Sequence, residues 1–281
     1  MALVYGLVTA MAFGVGDFLA GQVTKRVPTL LVVLYAQLVG VMMMLPVGLM
    51  SGQAASVDAF MWGSLGGLSL GIGFLFYFSA LSRGKMGVVS SVAGILSALV
   101  PVATGLAIGE RPGAGALIAV VLIALAIILI SKKEPEKQSA SQAGSAVLIQ
   151  AALAGVLIGL LFVFLHIPAN DESMWTVFFT MTGAFTAVAA LLIFRRANIF
   201  DINKKAWIFI LGNGFLQTFG AVTYVLGVSI GLMSIVALAG ALSPLFTLIC
   251  ARLFISERLN RLQIAGVALA LTGISLLVVY T

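Results

Sequence analysis

The residue that says most about chemistry is Asp17, a carboxylate that lies well inside an apolar stretch. Lys25 follows eight positions later, about 12 Å away along a helix at roughly 1.5 Å per residue, which is too far for an ion pair along one helix. Because hydrocarbon disfavours the charged form, such a carboxyl group can take up and release a proton near neutral pH. Asp17 is therefore a candidate proton or cation site. The alternative is a carboxylate that only hydrogen-bonds neighbouring helices and fixes their packing.

A small set of other polar groups falls within apolar stretches and could line a cavity with Asp17. These candidates are Gln37, Tyr77, Ser90, Ser91, Asn213, Gln217 and Tyr224. Asn213 and Gln217 are four residues apart and so share one face of a helix. A mostly apolar pocket with a few polar groups suits organic solutes, and aromatic faces also suit cations. The alternatives are core packing for the tyrosines and interhelical hydrogen bonding for the amides.

The sequence offers little to a metal, a nucleotide or a catalytic reaction. Its one histidine, His166, has no second His or Cys nearby, so it fits an interfacial residue better than a metal ligand. No G-x-x-x-x-G-K-[ST] phosphate-binding loop occurs. One aspartate in the apolar stretches and serines without a base do not make a catalytic constellation. We therefore expect no metal, no cofactor and no enzymatic activity.

The elements that position Asp17 follow from the composition. Of the 281 residues, 62% are hydrophobic and only 9% are charged, and the mean hydropathy is +1.19. A soluble domain has about 25% charged residues, so this chain has too little polar surface for water. The net charge of +6 comes from short basic clusters between long apolar stretches, a pattern of membrane-flanking loops and not of nucleic-acid binding. The sequence predicts an all-α polytopic membrane protein in contact with lipid.

Ten apolar stretches are each long enough for a helix that crosses about 30 Å of hydrocarbon. They are 2–22, 30–50, 60–81, 87–108, 113–131, 145–166, 174–194, 206–228, 232–254 and 261–280. The weakest separator, Ser229-Ile230-Gly231, carries no charge. A polar segment predicts a cytoplasmic linker, 132–144, between a first unit, 1–131, and a second unit, 145–281.

The basic residues predict the orientation of these spans. With ten spans, the loops on one face hold fourteen of the fifteen Lys and Arg residues, and the other face holds only Arg111. Loops rich in Lys and Arg stay in the cytoplasm. Both termini are therefore expected on the outer side of the cytoplasmic (inner) membrane.

The two units are similar in sequence. An offset of 147 residues aligns Tyr77 with Tyr224, within a shared Ser-x-Gly pattern. The same offset aligns Glu110 with Glu257, each followed by arginine. Five spans per unit require the copies to insert with opposite topology, which is typical of secondary transporters with a substrate site between the repeats. The alternative is a duplication that only built a stable scaffold.

Short motifs in a fixed order give the chain a family resemblance. They are Tyr77-x-x-Ala80-Leu81-Ser82-x-Gly84, then a small-residue helix with a proline (Pro101, and Pro244 in the second unit), then Gly109-Glu110-Arg111 or Ser256-Glu257-Arg258-Leu259. Together they resemble the ten-span EamA-type branch of the drug/metabolite transporter superfamily over essentially the whole chain. The resemblance implies a transporter of drugs or metabolites and leaves the substrate open. Because Pro101 and Pro244 are out of register with each other, we expect the two units to kink one turn apart.

The first helix carries a second resemblance. Its segment from Gly14 to Lys25 is similar to the first helix of the four-span small multidrug resistance proteins, in which an acidic residue eight positions before a lysine is the shared proton and cation site. The resemblance assigns that role to Asp17 alone, because its repeat partner is Gly159 or a neighbouring apolar residue. One carboxylate would then replace the two of a dimer.

These observations predict a secondary active transporter that moves a small organic solute (a drug, cation or metabolite) by alternating access. Asp17 would couple protons to transport or bind the cation. The alternatives are an uncoupled permease for a neutral metabolite such as a sugar or amino acid, and a membrane scaffold that transports nothing. The sequence leaves the substrate, the direction of transport, the coupling ion and the oligomeric state open.

Overall fold

A computed structural model describes residues 1–52, 54–84, 86–111, 113–131, 143–168, 173–196, 202–255 and 261–280. In these residues every regular element is an α-helix. The helices are α1 (Ala2–Val23), α2 (Thr29–Met50), α3 (Val57–Arg83), α4 (Met86–Ala107), α5 (Ala114–Ser131), α6 (Ala143–His166), α7 (Ser173–Arg195), α8 (Lys204–Val228), α9 (Met233–Gly240), α10 (Ser243–Phe254) and α11 (Arg261–Tyr280). Most of the predicted linker, together with Glu257 and Arg258, lies outside the described residues. The all-α prediction is confirmed for the described part of the chain.

The helices follow the apolar stretches of the sequence. Hydrocarbon offers the backbone no hydrogen-bond partner, so a segment that crosses it satisfies its own N–H and C=O groups as a helix. Among the described residues, seven helical segments are long and apolar enough to cross a membrane, one of them the broken segment Met233–Phe254. Large apolar side chains such as Met42, Leu49 and Ile193 are exposed, as expected where lipid covers the surface. The count of ten spans stays a prediction.

The two units differ in their fourth span. α4 is continuous through Pro101, whereas the corresponding segment of the second unit is interrupted at Ala241 and Leu242, between α9 and α10. Pro244 lies in the first turn of α10, where its missing N–H costs no helical hydrogen bond. The structure therefore has a break in one unit and an uninterrupted helix in the other, and the expectation that the two units kink one turn apart stays a prediction.

The helices pack in matched pairs across the two units. α3 packs on α6 as α1 packs on α8, and α4 packs on α6 as α1 packs on α9 and α10. α2 contacts α7, and α5 contacts α11. When each helix is replaced by its counterpart in the other unit, the α3–α6 pair becomes the α8–α1 pair, and the α4–α6 pair becomes the packing of α9 and α10 on α1. The α2–α7 and α5–α11 pairs stay the same. The packing therefore fits a two-repeat architecture.

Glycines allow α3 to pack closely on α7. A Cβ atom at Gly63 would lie 2.7 Å from the Cβ of Phe179, and one at Gly67 would lie 2.7 Å from the backbone nitrogen of Ala184. Both distances are too short for real side chains, so only glycine fits, and small residues are the usual means of close helix approach in membranes. This contact holds α3, and with it Tyr77, against the second unit.

Candidate functional site

A carboxylate with two hydrogen-bond donors lies where three helices meet. Asp17 on α1 is only 6% exposed. The Tyr77 hydroxyl on α3 donates to its Oδ2 at 2.9 Å. The Gln217 side-chain amide on α8 donates to its Oδ1, also at 2.9 Å. The structure therefore brings together three of the residues that the sequence singles out, from both units.

Glycines on α1 bring the neighbours of Asp17 close to it. A Cβ atom at Gly16 would lie 3.3 Å from the Nε2 of Gln217, the atom that donates to the carboxylate. On the other side, the Thr247 hydroxyl of α10 donates to the backbone carbonyl of Gly14 at 2.9 Å. The small residues around Asp17 thus let α8 and α10 hold this part of α1 in place.

Asp17 lies in the wall of a cavity to which both units contribute. The other polar groups of the wall are Tyr77, Ser90, Ser97, Thr180, Gln217 and Ser243, and its aromatic groups are Phe13, Phe74 and Phe162. The rest of the wall consists of aliphatic side chains, methionine and glycines. A mostly apolar cavity with a few convergent polar groups is the usual form of a site for a small organic molecule.

The cavity is small in this conformation. The volume open to the centres of water molecules is about 50 Å³. One water molecule requires roughly 10–15 Å³ by that measure. The cavity therefore has room for a few waters or a compact solute, and a larger solute requires its walls to move apart.

Aromatic rings line the same cavity as the carboxylate. Phe74 stacks on Phe78 with ring centroids 4.8 Å apart, and Phe13 stacks on Phe162 at 6.0 Å. The faces of such rings attract cations, and their flat surfaces bury apolar area. Together with the carboxylate of Asp17, they suit a solute that has an apolar body and a positive charge.

Comparisons with known proteins agree with this architecture. The family model described as the EamA-like transporter family matches residues 1–132 and 145–279. The chain belongs to the EamA-like transporter family. The family resemblance of the motifs is confirmed, and membership indicates a membrane transporter of small solutes, which is consistent with a protein that is not an enzyme.

A solved structure shares the fold of this EamA-like transporter. It is a crystal structure of a protein that shares 17% sequence identity with this chain. The TM-score is 0.80, and the match covers 99% of this chain and 96% of the other. At that identity the likeness shows the fold alone. No curated protein matches the sequence.

The two tyrosines that the repeat aligns have different partners in this EamA-like transporter. Tyr77 donates to Asp17, on the first helix of its own unit. Tyr224 is fully buried and donates at 3.1 Å to the backbone carbonyl of Phe162, on the first helix of the second unit. The duplicated framework therefore has a carboxylate at this position in one unit and only a backbone acceptor in the other.

The remaining predicted residues divide between the cavity and the packing around it. Ser90 lies in the cavity wall. Gln37 and Asn213 are buried outside that wall, as is Tyr224, whose hydroxyl is engaged by α6. The side chain of Ser91 lies outside the described part of the structure. Sequence spacing gives the depth of a residue along a helix but not the neighbour that it faces.

Several hydroxyl groups of the wall were not among the predicted residues. Thr180 donates to the Thr176 carbonyl at 2.8 Å, and Ser97 donates to the Gly94 carbonyl at 3.0 Å. Such bonds to the preceding turn make Ser and Thr common in buried helices, so their presence alone is a weak signal. For Ser97 the sequence offers one further signal, because the repeat aligns this residue with Pro244 in the fourth span.

A second carboxylate, Glu110, joins the two units at the far end of α4. Its Oε1 accepts from the backbone N–H of Met233 at 2.8 Å, and its Oε2 accepts from that of Ser234 at 3.1 Å. These N–H groups begin α9, where a negative charge is favoured by the unpaired donors and the helix dipole. Gly109, with a φ of +95°, turns the chain at the end of α4 so that Glu110 reaches α9.

Within the described residues, no group of three His, Cys, Asp or Glu side chains is placed to hold a metal ion. His166 ends α6, away from the cavity wall. The chemistry of the site is therefore that of one carboxylate, its two donors, hydroxyl groups and aromatic rings.

Proposed function

We propose that this EamA-like protein is a secondary active transporter that moves a small organic solute across the cytoplasmic membrane, with Asp17 as the shared proton and cation site. The observation that carries the proposal is the position of Asp17. It is the buried carboxylate of a cavity to which both units contribute, and its oxygens are oriented by Tyr77 and Gln217.

The chemistry of the coupling rests on a competition for one carboxylate. Tyr77 and Gln217 both donate to Asp17, which stabilises its ionised form, whereas burial favours its neutral form. A proton or an organic cation can each compensate the charge of the ionised group. Because both occupy the same site, binding of one favours release of the other, and a proton gradient can drive the solute in exchange.

Alternating access supplies the movement. The proposed protein has ten spans in two inverted repeats, units 1–131 and 145–281, joined by a cytoplasmic linker, with both termini outside. The matched packing of the units supports this arrangement, since a two-fold relation allows the units to exchange conformations and to open the cavity to either side. The cavity lies between elements of both units, so it is where such an exchange would expose a solute.

The second candidate function is an uncoupled permease for a neutral metabolite, such as a sugar or amino acid. The hydroxyl groups of Ser90, Ser97, Thr180 and Ser243 in the cavity wall favour it, because they can hydrogen-bond an uncharged polar solute. In that case Asp17 would be one more hydrogen-bond acceptor, and transport would not depend on a pH gradient.

The two functions differ in proton movement. Proteoliposomes that contain the full chain and the pH-sensitive dye pyranine would be challenged with tetraphenylphosphonium, ethidium, and a panel of sugars and amino acids. We expect an organic cation to drive a pH change in the lumen and the neutral solutes to drive none. Solute uptake without any pH change would favour the permease.

The matched variants for this assay are Asp17→Asn and Asp58→Asn. Both replace one carboxylate with an amide, but Asp58 is exposed in the first turn of α3. We expect the pH change to disappear with Asp17→Asn and to persist with Asp58→Asn. Equal activity of the two variants would contradict the role of Asp17.

A further inference from the structure

Two buried amide side chains that lie outside the cavity wall have atoms without hydrogen-bond partners in the described structure. Asn213 on α8 is 0% exposed, and within the described residues neither its Oδ1 nor its Nδ2 has a hydrogen-bond partner. Exchanging the positions of the amide oxygen and nitrogen would not give either atom a partner, because both positions are unpaired. On α2, Gln37 is 1% exposed, and its Oε1 is also unpaired in the described structure.

Asn213 lies beside the backbone next to Asp17, and α2, which carries Gln37, packs on α8. A Cβ atom at Gly16 would lie 3.4 Å from the Oδ1 of Asn213, which places that oxygen against the backbone beside Asp17. Asn213 is also one helical turn before Gln217, the residue that donates to Asp17. A Cβ atom at Gly214 would lie 2.6 Å from the backbone oxygen of Ala36, so α8 and α2 are in close contact at the residues adjacent in the chain to Asn213 and Gln37.

The three residues lie at comparable depths on their helices. At 1.5 Å per residue, Asp17 lies about 9 Å from the end of α1, Gln37 about 12 Å from the start of α2, and Asn213 about 14 Å from the start of α8. Those three helix ends belong to the face that carries Lys25, Arg26, Lys204 and Lys205, the predicted cytoplasmic face. The cluster is therefore nearer to that face than to the opposite one.

The chemistry of the unpaired atoms selects the ligand. A metal cation would satisfy only the two amide oxygens, and an anion would satisfy only the amide nitrogen. Water donates and accepts, and a buried water typically makes about three hydrogen bonds to otherwise unsatisfied groups. Chains of hydrogen-bonded water molecules are also able to pass protons, and amide groups can hold such water in place, which neither aliphatic side chains nor aromatic rings can do.

We propose that Asn213 and Gln37 bind ordered water between α1, α2 and α8, and that this water passes protons between Asp17 and the cytoplasmic face. The inference rests on the proposed function, because it supplies the proton route for that site. It separates two paths: the solute reaches Asp17 from the cavity, and the proton reaches it through water outside the cavity wall.

The titratable groups of the neighbouring helices include Tyr35 on α2, which packs against Trp207 of α8 with ring centroids 4.7 Å apart. From α3 the facing group is the Tyr77 hydroxyl, and from α8 it is the Gln217 amide. α9 carries no titratable side chain. On α10 the Cys250 thiol packs with Phe18. Tyr77 lies in the cavity wall together with Asp17.

The test is the rate at which the carboxyl proton of Asp17 exchanges with solvent in the full-length, reconstituted protein. Infrared spectra would locate the C=O band of the protonated carboxyl group, assigned by its loss in Asp17→Asn, and its shift would be followed after transfer to D₂O. The probe is water itself, so no substrate is required. We expect Asn213→Leu, which fills the site with an apolar group of similar size, to slow the exchange by roughly a hundredfold, the lower end of what a positioned proton carrier contributes.

Two further variants make the result specific. Asn213→Ser leaves room for water and a hydroxyl group, and should exchange at close to the unmodified rate. Gln150→Leu removes an amide whose Oε1 is likewise buried and unpaired in the described structure, but on α6, and should change nothing. If Asn213→Leu does not fold, Gln37→Met tests the same water from α2 and should also slow the exchange.

The outcomes separate this inference from the proposed function. Exchange at the unmodified rate in folded Asn213→Leu or Gln37→Met, with the Asp17 band present, would overturn the water site alone. The absence of any Asp17-dependent band from acid to alkaline pH would contradict proton binding at Asp17, and with it both proposals.

Discussion

The contact between Glu110 and the start of α9 allows us to predict how much stability the protein loses when Glu110 is replaced. Glu110 accepts two backbone hydrogen bonds, from Met233 at 2.8 Å and from Ser234 at 3.1 Å. Hydrogen bonds to a charged group contribute about 1.5–3 kcal/mol each, and a charge at a helix N-terminus adds about 0.3–1 kcal/mol. In Glu110→Gln one oxygen remains as a neutral acceptor, and the second N–H group faces an amide nitrogen. We therefore expect a loss of about 2–3 kcal/mol.

The assay is thermal unfolding of the detergent-solubilised full chain. For a protein of this size, 2–3 kcal/mol corresponds to a fall in Tm of roughly 4–12 °C. The control is Arg111→Gln, which removes the neighbouring, exposed charge. Exposed substitutions usually change stability by less than about 0.5 kcal/mol. Equal Tm values for the two variants would refute the idea that Glu110 caps α9 and joins it to α4.

Three further predictions concern the site, the packing and the topology. Tyr77→Phe keeps the ring but removes the donor to Asp17, so proton-coupled transport should fall. Tyr224→Phe should instead lower the free energy of unfolding by about 1 kcal/mol and leave coupling intact. The reverse pattern would contradict the different partners of the two tyrosines. Gly67→Ala places a Cβ against the α7 backbone and should cost about 1–3 kcal/mol, measured by thermal unfolding, whereas Gly113→Ala, with open space around it, should cost little. In a Cys250→Ser background, cysteines at Gln53 or Ser173 should react with an impermeant thiol reagent added outside sealed cells, while one at Ser139 should not; labelling at Ser139 from outside would overturn the orientation.

The sequence predicts the positions of the helices well, for a physical reason. A long apolar stretch has one way to satisfy its backbone in hydrocarbon, so α1 and α8 begin and end within two residues of the predicted stretches. The break between α9 and α10 is harder to predict. Pro244 is compatible with an interior kink or with the first turn of a new helix, and only the packing of the second unit decides between them.

The site is predicted only in part. Asp17 is recognisable because a carboxylate in an apolar stretch is costly, and Tyr77 and Gln217 are recognisable as polar groups at similar depth. That they donate to Asp17, while Asn213 and Gln37 lie outside the cavity wall with unpaired amide atoms, depends on how each helix is rotated about its axis. Sequence spacing does not fix that rotation between helices that are far apart in the chain.

The central claim is that Asp17 couples proton movement to solute transport, and the most direct measurement compares two modes of transport by one variant. Once a solute has been found in the dye assay, proteoliposomes with Asp17→Asn would be tested for accumulation driven by a pH gradient and for exchange of labelled against unlabelled solute without a gradient. We predict that gradient-driven accumulation is lost, that exchange partly persists, and that Asp17→Glu retains both. Normal gradient-driven accumulation by the well-folded Asp17→Asn variant would contradict the account and leave Asp17 as a residue that only holds helices together.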